Sequence, residues 1–135
     1  MIRSMHPEEQ AAVRALALLC QRGDTRPTGW YIAHPTLVLL EDDLIVGSTS
    51  FTVTLIPGFG QTMYGMDVVV HPAHRNRGYA GTLHHARLTI AKSLGVRVFM
   101  GVTNDPAMAK VLVDAGAHAC LPVGEDVLYV GAIGD

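Results

Sequence analysis

The chain has 135 residues, with 10 basic and 12 acidic side chains and a formal net charge of -2 at pH 7. Hydrophobic residues make up 49% of the sequence, which is enough to fill one compact core and excludes a chain that is mainly disordered. The slightly acidic balance gives no general attraction to nucleic acid or to an anionic membrane surface.

We expect residues 1–135 to form a single domain, because no linker, internal repeat or low-complexity segment divides them. No apolar run reaches the roughly 20 residues needed to cross a bilayer, and the first residues lack the apolar stretch of a signal peptide. We therefore expect a cytoplasmic protein without a membrane partner. Cys20 and Cys120 have neither disulfide nor zinc-ligand spacing and are predicted to be buried thiols.

The N-terminal part predicts a short strand followed by an amphipathic helix. The strand lies around Ile2, and the helix begins at Pro7, where a proline and two carboxylates suit a first helical turn. Apolar residues recur at three- and four-residue spacing as far as Cys20, and Gly23 is the predicted terminator. Residues 23–35 carry mixed signals and stay unassigned, with a loop and a short helical turn as one interpretation.

The middle of the chain predicts a three-stranded antiparallel meander. β-Branched residues dominate 36–40 and 44–56, which flank a turn, and a Pro-Gly turn precedes a third strand over 61–71. In this third strand both alternating faces are largely apolar. A strand that is covered on both faces is typical of the middle of a sheet with helices over it.

The following residues predict a parallel β-α-β unit. Apolar side chains at helical spacing indicate a helix over 79–94 with Gly95 as its C-terminal cap. Residues 96–102 then alternate as a strand. This strand is expected to run parallel to 61–71, with a right-handed crossover between them.

The last part of the chain predicts one more helix and a hairpin. The Asn-Asp-Pro sequence at Asn104 is a strong helix start, and Gly116 ends the helix. Residues 119–123 and 127–133 can pair as the final hairpin. The predicted fold class is α/β (α+β), with a mixed, mostly antiparallel sheet of six to seven strands, flanking helices and a central parallel β-α-β unit.

The most informative stretch joins the strand 61–71 to the helix 79–94. Glycines 78 and 81 let backbone approach a ligand closely, the first helical turn leaves its N–H groups unsatisfied, and Arg75 and Arg77 add positive charge. This combination predicts an anion site, most naturally for a pyrophosphate. It is not a Walker loop, because no Gly-Lys-Ser/Thr is present, and the GxGxxG dinucleotide fingerprint is also missing.

These residues resemble the signature of the GCN5-related N-acetyltransferase (GNAT) superfamily. That signature is a strand ending in Val-x-Pro and then Arg/Gln-x-x-Gly-x-Gly/Ala. It is matched here by Val70-x-Pro72 and Arg75-x-x-Gly78-x-Ala80.

A second stretch also resembles the family. The strand 96–102, the residues that follow from Asn104 and the helix that closes at Gly116 resemble the segment that flanks the coenzyme's pantetheine arm. The order of elements fits over most of 36–135. The resemblance therefore implies a GNAT-like fold and one N-acetyltransferase domain.

The resemblance implies an acyltransferase with acetyl-CoA as cosubstrate, which transfers an acetyl group directly to a primary amine of an unidentified acceptor. In the family the pyrophosphate lies on the loop amides, and the pantetheine arm pairs with the edge of the fourth strand where it splays from the fifth. A polar residue meets the arm from the other side. The residues implied to bind the coenzyme are Val68, Val69, Val70, Arg75, Asn76, Arg77, Gly78, Tyr79, Ala80, Gly81, Thr82 and Asn104.

Direct transfer requires a base, because an amine with a pKa of roughly 10 must lose a proton before it attacks the thioester. The sequence offers Asp67, His71 and His118. Asp67 is the preferred base, since it precedes the valines that would hold the thioester. Two structural alternatives stay open: Asp67 as a strand residue tied to neighbouring backbone or an arginine, and His71 as a capping or surface residue.

One departure from the family concerns the general acid. Many members carry a tyrosine four residues after the position of Met108, where this sequence has Leu112. Tyr64 or Tyr129 could replace that donor only if the geometry allowed it. The departure motivates a second interpretation, in which the fold binds acyl-CoA as a sensor or structural partner without turning it over. A third is a nucleotide-phosphate-binding module without thioester chemistry.

No metal site is predicted, although four histidines crowd one region. His84 and His85 are adjacent on the predicted helix and point about 100° apart, so they do not converge easily on one ion. Solvated or coenzyme-facing histidines are expected instead.

The acceptor side and the oligomeric state are less constrained. Trp30, Tyr31 and His34 lie where the family usually builds the acceptor pocket, with a packed aromatic cluster as the other interpretation. Exposed strand edges at the C-terminal hairpin are compatible with a homodimer. No nucleic-acid partner is expected.

Overall fold

The computed structural model of the protein describes residues 1–20 and 29–134. Within these ranges the strands are β1 (Ile2–Ser4), β2 (Thr36–Glu41), β3 (Leu44–Ile56), β4 (Gly60–Val70), β5 (Val98–Thr103), β6 (Ala117–Val123) and β7 (Asp126–Ala132). The α-helices are α1 (Gln10–Leu19), α2 (Trp30–Ala33), α3 (Tyr79–Ser93) and α4 (Pro106–Asp114). Short 3-10 helices occupy Pro7–Glu9 and Pro72–His74.

The strands form one mixed sheet in the order β1-β2-β3-β4-β5-β7-β6. Neighbouring strands are antiparallel, except that β4 and β5 run parallel and are joined by α3. This topology confirms the predicted fold class, the meander, the central β-α-β unit and the final hairpin. The sheet has seven strands in the described chain, the higher of the two predicted numbers.

Helices cover both faces of the sheet. Val38 and Leu39 are adjacent on β2 and therefore point to opposite faces. Val38 packs with Val13 of α1, whereas Leu39 packs with Leu83 of α3. The central strands are consequently buried on both sides, as their apolar sequence predicted. None of the described helices has the length and hydropathy needed to span a bilayer.

The N-terminal helix begins later than predicted. Glu9 accepts the backbone N–H of His6 at 2.8 Å and two hydrogen bonds from the Arg3 guanidinium at 2.7 and 2.9 Å. These contacts tighten the first turn into the 3-10 helix Pro7–Glu9, and α1 starts only at Gln10. The predicted terminator, Gly23, lies outside the described residues.

β5 also begins later than predicted, at Val98. The backbone N–H of Val96 still donates to the carbonyl of Ala91 at 2.9 Å, so Val96 belongs to the C-terminal turn of α3. Its side chain is buried in the core. The sequence analysis placed Val96 in the strand because its apolar side chain continues the alternating pattern.

The prediction of two buried thiols is wrong for Cys120. β6 is the last strand of the sheet, and within the described chain only its first residue, Ala117, is buried. Cys120 is therefore exposed, while Cys20 is partly buried with Sγ 3.4 Å from the carbonyl oxygen of Val70. An alternating apolar pattern cannot distinguish an edge strand from a covered one.

A β-bulge interrupts β4. Asp67 pairs with Ser50 on β3, but the next pair joins Gly65 to Phe51, so Met66 is the extra residue. A bulge bends its strand and reverses the alternation beyond it. Val68 consequently packs toward α3, on the same face as Gly65, whose missing Cβ would meet the Arg87 side chain.

Candidate active site

The parallel strands β4 and β5 separate at the bulge. Their pairing runs from Thr62 with Val98 to Gly65 with Gly101 and then stops. Beyond that point, among the described residues, β4 remains paired with β3 alone and β5 with β7 alone. The result is a gap between two diverging strands, closed at Gly65 and open toward the C-terminal end of β4.

The edge of β4 that borders this gap carries backbone groups that β3 does not use. The N–H of His71 donates to Val46 on β3 at 2.8 Å, so alternation directs the backbone groups of Val70 and Val68 toward the gap. The Val70 carbonyl accepts from the Arg75 Nε at 3.3 Å and from the Cys20 thiol. An extended amide-containing ligand could therefore pair with this edge as an additional strand.

The loop after β4 turns sharply into α3. His71 caps the following 3-10 helix, because its Nδ1 accepts the N–H of Ala73 at 3.0 Å. This supports the capping role that was one interpretation of His71. Asn76 and Gly78 have left-handed φ angles of 65° and 75°. Gly78 is the N-cap of α3, and no side chain in the described part of the chain caps the helix there, so these residues leave the first amides of α3 to an anion.

A cavity of about 620 Å³ lies between this loop, the free edge of β4 and the start of α4. It brings together all the residues implied to bind the coenzyme except Arg77 and Thr82, namely Val68, Val69, Val70, Arg75, Asn76, Gly78, Tyr79, Ala80, Gly81 and Asn104. His74 and Met108 also line it, as does Cys20, which sequence reasoning had not connected with the coenzyme.

The Arg77 and Thr82 side chains are engaged elsewhere. Arg77 Nη1 donates to the two carboxylate oxygens of Glu41 at 3.0 and 3.1 Å. The Tyr79 hydroxyl donates to the same carboxylate at 2.6 Å, and these two contacts hold the pKa of Glu41 below its usual value. Thr82 donates its hydroxyl to the Gly78 carbonyl at 2.9 Å. The positive side chain facing the cavity from this loop is therefore Arg75 rather than Arg77.

A second, smaller cavity of about 40 Å³ occupies the closed end of the gap. Both cavities are lined by Val68 and Met108, so they adjoin. The smaller one is also lined by Asp67, the preferred base, and by the bulged residue Met66. The other two candidate bases, His71 and His118, are not among the described residues that line the small cavity.

A buried arginine lines the small cavity, and sequence reasoning missed it. Arg87 of α3 is 2% exposed and His84, one turn earlier, is 1% exposed. Arg87 Nε donates to His84 Nδ1 at 3.0 Å. Burial, with Arg87 as the next cause, lowers the pKa of His84 to about 3, so this histidine is neutral. The expectation that His84 is solvated or coenzyme-facing is wrong, because it completes a buried hydrogen-bonded pair.

The position of the missing tyrosine also faces the small cavity. Leu112 of α4 lines it and is 2% exposed. Tyr64 and Tyr129 are not among the described residues that line either cavity. The described residues contain no cluster of three or more His, Cys, Asp or Glu side chains suited to a metal ion.

Residues 6–111 match the model of the Acetyltransferase (GNAT) family. No curated protein matches the sequence.

Solved structures share the fold at low sequence identity. One is yncA from Salmonella typhimurium with its cofactor acetyl-CoA, at 20% identity and a TM-score of 0.81, covering 100% of this chain and 94% of that chain. Another is N-acetylglutamate synthase from Neisseria gonorrhoeae complexed with coenzyme A and N-acetyl-glutamate, at 16% and 0.82, covering 100% of this chain and 35% of that chain. A third is paia N-acetyltransferase from Thermoplasma acidophilum in complex with coenzyme A, at 11% and 0.78, covering 98% of both chains.

Proposed function

The chain belongs to the acetyltransferase (GNAT) family, and from this premise we propose that it transfers an acetyl group from acetyl-CoA directly to a primary amine. We also propose that residues 1–135 form one N-acetyltransferase domain. The acceptor, a homodimer and a cytoplasmic location stay predictions from the sequence.

The observation that carries the proposal is the continuity of the larger cavity. It connects the first turn of α3, whose amides suit a pyrophosphate, to the backbone edge of β4 that β3 does not use, which suits the amides of a pantetheine arm. Asn104 lies across the cavity from this edge, at the end of β5. Each part of the coenzyme thus meets a group of matching chemistry in the order in which the parts are bonded.

We assign the base to Asp67. The bulge puts Asp67 and Val69 on the face opposite Val68, so the Asp67 side chain is directed away from α3. An amine that approached the gap from that face would meet a carboxylate beside the thioester carbon. The carboxylate would take one proton from the ammonium form of the acceptor, and the neutral nitrogen would then attack the carbonyl. As the C–S bond breaks, the second proton leaves the nitrogen for water, and the product is the amide with CoA as the leaving group.

The leaving thiolate requires no tyrosine in this mechanism. A thiol has a pKa of about 8.5, so it is a tolerable leaving group near neutral pH and water can protonate it. Leu112 also favours the competing function, an acyl-CoA-binding sensor or structural protein, because it removes the usual proton donor from the site. The two functions differ in turnover and agree in coenzyme binding.

The coenzyme site is tested by thermal-shift titration with acetyl-CoA, CoA and ATP. A ligand that binds the folded state at a hundredfold excess over its Kd stabilises it by about 2.7 kcal/mol. We expect both CoA compounds to raise the Tm, with no comparable effect of ATP. Stabilisation by ATP alone would support the nucleotide-binding alternative.

The loop is tested with Gly78→Glu, which is expected to abolish coenzyme binding because it places a carboxylate among the pyrophosphate donors. The matched control is Gly58→Glu in the β3–β4 turn. Gly58 also has a positive φ, 86° against 75°, and an added Cβ meets nothing within 4 Å at either glycine. Retained affinity in Gly78→Glu would reject this placement. Thiol release with a panel of amines then distinguishes the enzyme from the sensor.

A further inference from the structure

The guanidinium of Arg87 is a buried cation whose hydrogen-bond acceptors in the described chain are all neutral. Nη1 donates to the Thr49 hydroxyl at 2.9 Å and to the Asp67 carbonyl at 3.4 Å, and Nε donates to neutral His84. The guanidinium carbon also lies 4.8 Å from the centre of the Phe99 ring. No hydrogen bond from Nη2 to a described residue accompanies these contacts.

Arg87 keeps its charge at this position. Burial lowers the pKa of Arg87 to about 9, and the Asp67 carboxylate partly opposes that effect. The side chain is therefore cationic at neutral pH. A buried charge is costly unless an opposite charge accompanies it, and Asp67 extends from the opposite face of β4. The hydrogen bonds of the guanidinium therefore bring it no negative charge.

The direction of the bound coenzyme decides which part would meet Arg87. This step rests on the proposed function. With the pyrophosphate at the start of α3, the pantetheine arm follows β4 from Val70 toward Val68. Its acyl end then reaches the bulge at Met66, beside the small cavity that Arg87 lines. The acyl group of the thioester is thus the part of the coenzyme nearest to the guanidinium.

The size of the small cavity limits the acyl group. A cavity needs a volume of roughly 10–15 Å³ to hold one water molecule, which is one non-hydrogen atom. The small cavity, with about 40 Å³, therefore holds about three non-hydrogen atoms. A carboxylate has three. The closed end of the gap therefore has both the volume and the charge for one carboxylate.

We propose that the small cavity is an acyl subsite that binds the free carboxylate of a short dicarboxylic acyl group, as in malonyl-CoA, through Arg87. Acetyl-CoA fits the same gap but brings no negative charge to the guanidinium. The donor that binds best is therefore a CoA thioester whose acyl group carries one free carboxylate, and Arg87 determines this preference.

The wild-type protein tests the subsite without knowledge of the acceptor. Calorimetric Kd values are measured for malonyl-CoA, acetyl-CoA, CoA and isovaleryl-CoA, whose isopropyl group has the shape of the malonyl carboxylate but no charge. We expect malonyl-CoA to bind about tenfold or more tightly than isovaleryl-CoA, as a charge-assisted hydrogen bond allows. If malonyl-CoA binds as weakly as isovaleryl-CoA, or more weakly, the proposal is overturned. The role of Arg87 would then be to stabilise the bulge in β4.

Substitution of Arg87 tests whether this side chain causes the preference. Arg87→Met is expected to remove the preference for malonyl-CoA while CoA itself still binds, and Arg87→Lys to retain part of it. The matched control, Lys110→Met, removes an exposed cation from α4 that pairs with Asp114, and the preference should persist. An Arg87→Met protein that folds and still prefers malonyl-CoA contradicts the assignment. If that variant does not fold, Arg87→Lys and the wild-type comparison still decide.

The same titrations separate this inference from the proposed function. If CoA and acetyl-CoA both fail to bind, the coenzyme site itself is wrong and the subsite is rejected with it. If both bind but malonyl-CoA has no advantage over isovaleryl-CoA, the subsite alone is rejected.

Discussion

The orientation of the Asp67 side chain depends on a single inserted residue, Met66. Without the bulge at Met66, Asp67 would share a face with Gly65 and point toward α3. The bulge turns it to the opposite face and leaves its carbonyl to Thr49 and Arg87. Its backbone carbonyl is thus held on one side of the sheet, while the bulge directs its side chain to the other.

For Asp67→Asn we expect kcat to fall by roughly 10²- to 10⁴-fold, the usual contribution of a general base, with a near-normal Kd for CoA. The amide keeps the shape of the side chain but cannot take a proton. The measurement is the pH dependence of kcat with an amine that the wild type accepts, together with calorimetry for CoA. If the variant keeps the wild-type pH–rate profile, another group is the base.

Arg87 shows why some site residues could not be predicted from the sequence. Its position was visible, since Leu83, Arg87 and Ala91 are spaced by four and all three are buried. An arginine within a helical pattern is normally read as a solvent-facing residue. Only the tertiary arrangement places the smallest residue, Gly65, opposite it and leaves room for the guanidinium.

Among the secondary-structure elements, sequence patterns predicted the features that depend on residues close together in the chain. The loop glycines, the Asn-Asp-Pro helix start and the strand periodicities depend on near neighbours, and they predicted every strand and the three longer helices. The bulge in β4, the late start of β5 and the exposure of β6 depend on residues far away in the chain. The sequence pattern therefore predicted the loop before α3 better than it predicted β4.

The N-terminal 3-10 helix carries an ion pair whose contribution should depend on pH. The hydrogen bond from Arg3, followed by the one from the backbone of His6, lowers the pKa of Glu9 from 4.5 to about 2. A carboxyl with a lower pKa in the folded state stabilises the fold above its unfolded pKa. That stabilisation is lost as the pH falls from about 4.5 toward 2.

Glu9→Gln is therefore expected to lower the Tm by roughly 2–4 °C at pH 7, the effect of a partly exposed ion pair in a chain of this size. The difference from the wild type should shrink below pH 4.5. Thermal melts between pH 7 and pH 3 measure it. Glu8→Gln is the matched control, since the Glu8 side chain is 76% exposed. A Tm difference for Glu9→Gln that stays constant down to pH 3 would contradict the assigned linkage.

Across the whole molecule, the pairing of β4 with β5 makes the sheet continuous, and the separation of the same two strands forms the site. β4 and β5 must meet for the meander and the C-terminal hairpin to form a continuous sheet, yet they must separate to admit a coenzyme. Gly65 and Gly101 form the last pair before the separation, where Arg87 and Phe99 occupy the space that side chains would need. Packing between α3 and the sheet therefore depends on the same residues as the small cavity.

This dependence predicts opposite effects for two glycine substitutions. In Gly65→Ala the new Cβ would lie 2.6 Å from both Arg87 Nη1 and Phe99 Cζ, so α3 or β5 must shift. We expect a loss of about 1–3 kcal/mol. The control is Gly81→Ala, where the Cβ meets nothing within 4 Å, and the better helix former should stabilise α3 by about 0.5–1 kcal/mol. Urea unfolding of the coenzyme-free proteins measures both changes. A Gly65→Ala protein as stable as the wild type would mean that the guanidinium can leave the closed end of the gap at little cost, and the packing described for α3 would be wrong.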